Sequence, residues 1–304
     1  MAFVQANVNY AKQYSNELAN AYPYFLYFAD IYNNANASKW RPVNGKDVMI
    51  PSMTVSGAKD VNRDQITGTF NRNWNNAWQT FSCQMDREWD TLIDPLDISE
   101  SGDVATIANV TKTFNETQKF AEMDAFLAAT LGSAAITNSK ADTTVLSADN
   151  ILATWDTYLA TMADARVNRD RLRCYVTPSV YKLLKEAAGI TRFIDAGTGI
   201  RNIDRNVGKL DGVRIYEVPS DLMKTAYIFT EGFVAADNAA QINMLFVDEE
   251  AVVTPIVYET SMISAPTAQS KGKYLYYERF YYGAAILDNR KAGVYVNYTA
   301  ANPL

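Results

Sequence analysis

Carboxylates crowd one stretch of this chain. Asp86, Glu88 and Asp90 alternate with other residues, and Asp94 and Asp97 follow closely. Two carboxylates held a fixed distance apart across a cleft can do glycosidase-type acid–base work. A hard cation could also use them, but their spacing matches no calcium-binding loop. The simpler expectation is ion pairing with Arg87 and helix capping. Glycines at 197, 199 and 208 suggest a phosphate-cradling loop, yet there is no G-x-x-x-x-G-K-[ST] and no strand-to-helix junction to hold it; loop flexibility explains them better. Arg166, Arg169, Arg171 and Arg173 form a basic run. That run could touch a nucleic-acid backbone, pair with acids of another subunit, or lie solvated at a helix C-terminus.

Histidine is absent from all 304 residues. The commonest general base near neutral pH and the commonest transition-metal ligand are therefore missing, and no Ser-His-Asp or Cys-His arrangement can exist. The two cysteines, Cys83 and Cys174, are too few for a disulfide scaffold and read as small buried apolar residues. No cofactor or metal is expected. Tyrosine is abundant at 19 residues, which suits either interfaces or strands.

With 48% hydrophobic and 20% charged residues, the chain can bury one or two cores. A net charge of −6 argues against a sequence-wide nucleic-acid-binding surface. There is no apolar run of about 18 residues that would span a membrane. The first residues lack the basic-then-apolar pattern of a signal peptide, so folding in a cytoplasm is expected.

The elements that would position these residues begin with an Asn-, Ala- and Tyr-rich segment, 1–38, with a short helix expected over 10–21. Its apolar run Tyr24-Phe25-Leu26-Tyr27-Phe28 needs a partner, either the rest of the chain or a neighbouring subunit. Residues 39–82 read as an extended hairpin. Val48-Met49-Ile50-Pro51 is a strand closed by proline, and the polar tip carries Lys59, Asp60 and Arg63. A return strand is expected at Ile66, Thr67, Thr69 and Phe70, then a second limb from Trp74 to Phe81.

A long helix is expected over 103–132, stopped by Gly132. A second follows Ser147-Ala148-Asp149-Asn150, with Ile151, Trp155, Tyr158, Leu159 and Met162 on its apolar face. Then come a buried strand at 173–176, a third helix opened by Pro178 and ended by Gly189, and a Gly/Arg-rich loop with Arg201 and Arg205. Strands are expected at 213–218, 226–230, 244–247, 252–258, 274–282, 284–287 and 294–298, both faces of 274–282 being covered. The class is α+β.

This order of features resembles the major capsid proteins of tailed phages, the Hong Kong 97-like fold, particularly those of phages with Gram-positive hosts. The likeness is carried by Val48-Met49-Ile50-Pro51, by Gln84-Met85-Asp86-Arg87-Glu88-Trp89 leading to Ile93-Asp94-Pro95-Leu96-Asp97, and by Glu122-Met123-Asp124-Ala125-Phe126. It continues through Tyr175-Val176-Thr177-Pro178-Ser179-Val180-Tyr181, Ile242-Asn243-Met244-Leu245-Phe246-Val247 and Gly283-Ala284-Ala285-Ile286-Leu287-Asp288.

The resemblance implies an N-terminal arm at 1–38 and an extended loop over a neighbour at 39–82. It further implies a peripheral domain with a spine helix at 83–146, an axial domain at 147–255, and returning strands of the peripheral domain at 256–304. Subunit contacts are then expected at Tyr24, Phe25, Tyr27, Phe28, Lys59, Asp60, Arg63, Arg201 and Arg205. The implied partners are copies of the chain in pentamers and hexamers, a separate scaffolding protein, a portal protein at one vertex, and packaged double-stranded DNA held weakly; no membrane is implied. The implied location is the virion, with no enzymatic role. Some members of the family crosslink a Lys to an Asn; Lys46 and Lys59 lie in the loop, but no partner acid is identifiable and no crosslink is expected. The alternative is a monomeric carbohydrate- or peptide-binding module using the tyrosines, and a third reading is an enzyme restricted to Asp, Glu, Lys and Tyr.

Overall fold

The computed structural model describes residues 25–33, 40–43, 46–58, 73–100, 106–187 and 207–300, and the backbone of 194–195 and 202–203. The helix expected over 10–21, the return strand at 66–70, the stop at Gly189 and the glycines 197 and 199 lie outside the described residues.

A six-stranded sheet divides two apolar layers. Its order is Ala141–Asp142, Val294–Thr299, Gln241–Asp248, Leu172–Val176, Val213–Glu217 and Lys209–Leu210. Successive side chains of a strand point to opposite faces, and the central strands are apolar on both. Cys174, Val176, Met244 and Phe246 pack with Trp155, Tyr158, Val180 and Leu184 of helices Ile151–Asp164 and Pro178–Glu186. Tyr175, Leu245, Val247 and Val296 pack instead with Leu127 and Leu131 of the long helix. Leu172–Val176 and Val213–Glu217 run parallel, with helix Pro178–Glu186 between them in sequence. Val294–Thr299 pairs antiparallel with Gln241–Asp248, so the last described strand shares this sheet with the middle of the chain.

The long helix differs from its expected form. It begins at Ile107, where the Thr106 hydroxyl accepts the Asn109 N–H. A single π-helical turn, Asn115–Lys119, interrupts it before Phe120–Thr137. Gly132 does not stop it. A Cβ there would lie 2.6 Å from Cδ1 of Ile242, so this glycine lets the helix approach the sheet closely. Residues 121–129 are all buried, and a helix enclosed on every side carries no apolar stripe to mark its length.

A three-stranded antiparallel sheet places Tyr274–Tyr282 between Ile256–Ser264 and Met85–Ile93. Tyr276, Glu278, Phe280 and Tyr282 face the long helix and are buried. The opposite face is not covered throughout: Arg279 is exposed and Leu275 is 38% exposed. Only Tyr281 is buried there, beneath Val48 and Cys83, with its hydroxyl donating to the Cys83 carbonyl at 3.0 Å. The expectation of a strand covered on both faces therefore holds at Tyr281-Tyr282 alone.

The hairpin pairs Asp47–Val55 with Trp74–Ser82, from Asp47 opposite Ser82 to Val55 opposite Trp74. Pro51 lies inside the strand rather than closing it. The short strand Arg41–Pro42 covers only Val48 and Met49 on the other side, so the N–H that Pro51 lacks interrupts no ladder there.

Candidate assembly surface

Residues 25–33 are built into their own chain. Tyr27 and Phe28 donate their backbone N–H groups to the two carboxylate oxygens of Asp124, at 2.8 and 3.2 Å. Tyr32 donates its hydroxyl to the Met123 carbonyl and Thr254 donates to the Ile31 carbonyl. Tyr216 and Arg173 both engage Asp30. The Phe28 ring lies 4.1 Å from that of Tyr175. Burial pushes the Asp124 carboxyl up to about 7, against the pull of the two N–H groups.

Of the residues expected at subunit contacts, Phe28 is therefore corrected: it is fully buried in the core of its own chain and has no surface for a neighbour. Tyr27 is half-buried, and Phe25 is 72% exposed. Tyr24, Lys59, Asp60, Arg63, Arg201 and Arg205 lie outside the described residues.

The carboxylates 86, 88 and 90 do not pair with Arg87. Strand alternation puts them on the outer face of the three-stranded sheet and sends Arg87 inward. There Arg87 grips Glu122 with two bonds of 2.8 Å and also donates to the Phe229 carbonyl. Asp86 pairs with Arg279, whose hydrogen bond holds its carboxyl below the ordinary value.

The π turn brings Lys119 over the inner face, where it meets Glu278 and Glu259. Burial pulls the Lys119 ammonium down, but those two hydrogen bonds outweigh it and raise it overall. Burial raises Glu122 against the opposing effect of Arg87. These couples pin helix to sheet. Among the described residues, no group of three or more His, Cys, Asp or Glu is placed to hold a metal ion.

The basic run is likewise partly absorbed within the chain. Arg171 pairs with Glu250 at 2.7 Å and lies 3.7 Å from Asp248. Arg173 pairs with Glu249 at 2.5 Å. Cys83 and Cys174 are buried free thiols, both raised by burial.

The hairpin presents the opposite situation to residues 25–33. Its lower residues Val48 and Ile50 are buried against Trp40, Phe81, Val253 and Leu287. Further out, Pro51, Met53 and Val55 share one face with their cross-strand partners Trp78, Asn76 and Trp74. Met53 is 64% exposed, Val55 73%, Trp74 50% and Trp78 49%. Among the described residues these side chains form an exposed, mostly apolar face with Asn76 in its middle. The sequence reading looked to the polar tip and missed it; the tryptophans four residues apart among asparagines were the available signal. A second exposed group, Leu92, Leu275 and Met262, lies at the far end of the three-stranded sheet.

No family model matches the sequence, and no curated protein does. Solved structures do match. A chain of Mycobacterium phage Che8 is 16% identical with a TM-score of 0.64, covering 96% of this chain and 98% of that one. The cyanophage P-SCSP1u capsid matches at 14% identity and a TM-score of 0.62, covering 96% and 93%. The mature capsid of bacteriophage PhiM1 matches at 14% identity and a TM-score of 0.61, covering 97% and 92%. Across nearly its whole length, the chain has the α+β fold of bacteriophage capsid proteins, as its sequence resemblance implied.

Proposed function

We propose that this chain is the major capsid protein of a tailed phage, assembling with its own copies into the icosahedral shell that encloses double-stranded DNA. The observation that carries this beyond fold is the hairpin. Met53, Val55, Trp74 and Trp78 expose an apolar face on a two-stranded ribbon, and a shell of repeated contacts would cover it. In this reading the hairpin is the extended loop, the helix through Phe120–Thr137 is the spine, and the layer holding Ile151–Asp164 and Pro178–Glu186 is the axial domain.

The role is structural rather than enzymatic. A separate scaffolding protein would guide assembly, a portal would occupy one vertex, and the virion is the final location. DNA contact is weak, in keeping with the net charge of −6 and with Arg171 and Arg173 already paired to acids.

Sedimentation velocity and negative-stain microscopy of the purified chain, alone and with scaffolding protein, test this. Pentamers, hexamers or closed shells are expected. A compact monomer that never assembles under either condition would contradict the reading.

A further inference from the structure

A groove of about 980 Å³ runs between the long helix and strand Met85–Ile93. Six consecutive residues, 86–91, line it, and side chains from both faces of a strand meet one groove only along an open edge. Met85–Ile93 is paired with Tyr274–Tyr282 on one side and, among the described residues, with no strand on the other. An edge strand turns backbone N–H and C=O groups outward, a template for another strand. Six residues offer roughly 20 Å of it.

The two faces along this edge differ, and the difference defines what fits. On the outer face stand Asp86, Glu88 and Asp90, all exposed. Asp86 is held by Arg279. Glu88 accepts the Tyr277 hydroxyl, and neither Glu88 nor Asp90 has an ion pair among the described residues. The two cations lining the groove do not balance them, because Arg87 is engaged by Glu122 and Lys119 by Glu278 and Glu259. On the inner face Trp89 stacks on Phe114, 4.1 Å between ring centroids, and Val110 lines the groove one helical turn away. A strand added here sends alternate side chains to the two faces. Its outer residues meet Glu88 and Asp90, and its inner residues meet Trp89, Phe114 and Val110. The complement is a strand in which Lys or Arg alternates with apolar residues.

This chain does not supply that strand. Two cations flank an apolar residue only at Lys39-Trp40-Arg41 and Arg171-Leu172-Arg173, and each of those apolar residues is built into its own chain. Trp40 packs against Val48, Cys83 and Tyr281, and Leu172 opens a central strand of the six-stranded sheet. A net charge of −6 also opposes bringing a second copy to an acidic edge. We infer that the open edge of Met85–Ile93 receives an extended segment of a different protein, one alternating Lys or Arg with apolar residues. The groove lies within a single chain, so the inference does not depend on the shell reading.

The probe is the amidated peptide Lys-Val-Lys-Val-Lys-Val-Lys carrying a neutral fluorophore, titrated against the full chain by fluorescence anisotropy. It should bind, and bound peptide should slow amide hydrogen exchange within 86–91. A peptide of the same composition with its lysines and valines in separate blocks should bind several-fold more weakly. Of two peptides N-methylated on every valine or on every lysine, one should lose binding, because the methyl groups then point at the edge. Glu88→Gln with Asp90→Asn should weaken binding several-fold and leave the melting of the chain unchanged. No binding, the outcome if another part of the chain or a second copy covers the edge, would overturn the inference. So would equal binding of the block peptide, binding that survives both N-methylations, unaltered affinity in the double variant, or protection confined to other segments. None of these results bears on whether the chain assembles, which sedimentation reads separately.

Discussion

Two apolar segments near the start of the described chain meet opposite fates. Segment 25–33 buries Phe28 and Ile31 completely, whereas the outer hairpin leaves Met53, Val55, Trp74 and Trp78 about half exposed or more. Composition alone does not separate them. The difference lies in backbone satisfaction: a buried segment must find partners for its N–H and C=O groups. Asp124, Met123 and Thr254 meet that need at 25–33. In the outer hairpin each strand pairs half of its N–H and C=O groups with the other, and its exposed position lets water take the rest. Its apolar side chains therefore stay exposed, while residues 25–33 are part of the core.

The largest expected effect that could break this contrast is Phe28→Ala. Truncating a fully buried phenylalanine should cost about 3–5 kcal/mol in denaturant unfolding of the unassembled subunit. A change below about 0.5 kcal/mol, typical of surface positions, would show that segment 25–33 is not core. Removing the anchor by Asp124→Ala takes the carboxylate from the buried Phe28 N–H and should cost about 1–3 kcal/mol.

The same carboxyl gives a pH signature. Its value in the folded chain, about 7, lies above the unfolded value of about 4. The folded state thus holds the proton to higher pH, and stability from this group is greatest below about 4, falls as pH rises towards 7, and is flat beyond. Asp124→Asn should flatten that part of the profile; an unchanged slope would assign it to another group. Gly132→Ala should destabilise by about 1–3 kcal/mol through overpacking on Ile242, offset in part by alanine's better helix propensity.

The smallest effect on the subunit is expected at the hairpin. Trp74→Ala with Trp78→Ala should shift unfolding by less than about 0.5 kcal/mol yet sharply reduce shell yield by light scattering. A large loss of subunit stability would mean that the hairpin face is covered by its own chain.

Local pattern disclosed much of the layered half. The apolar face of Ile151–Asp164 is buried at each expected residue, and Pro178 opens its helix as its fixed φ favours. Other features depended on distant partners. Met85–Ile93 hides as a strand because its outer face is charged and its inner Arg87 finds Glu122 35 residues away. The helix to Thr137 lacks a polar face to mark it. The apolar face of the hairpin needed the register of Val55 opposite Trp74, which the strand expected at 66–70 obscured. Phe28 read as an interface residue because Asp124, its backbone anchor, lies 96 residues away.

The most direct test is a cryo-electron microscopy reconstruction of particles assembled from this chain. The account predicts a closed shell in which the Trp74 and Trp78 face of every hairpin lies on an adjacent subunit, while residues 25–33 remain in their own core. Hairpins standing free in solvent, or preparations containing only monomers, would contradict it.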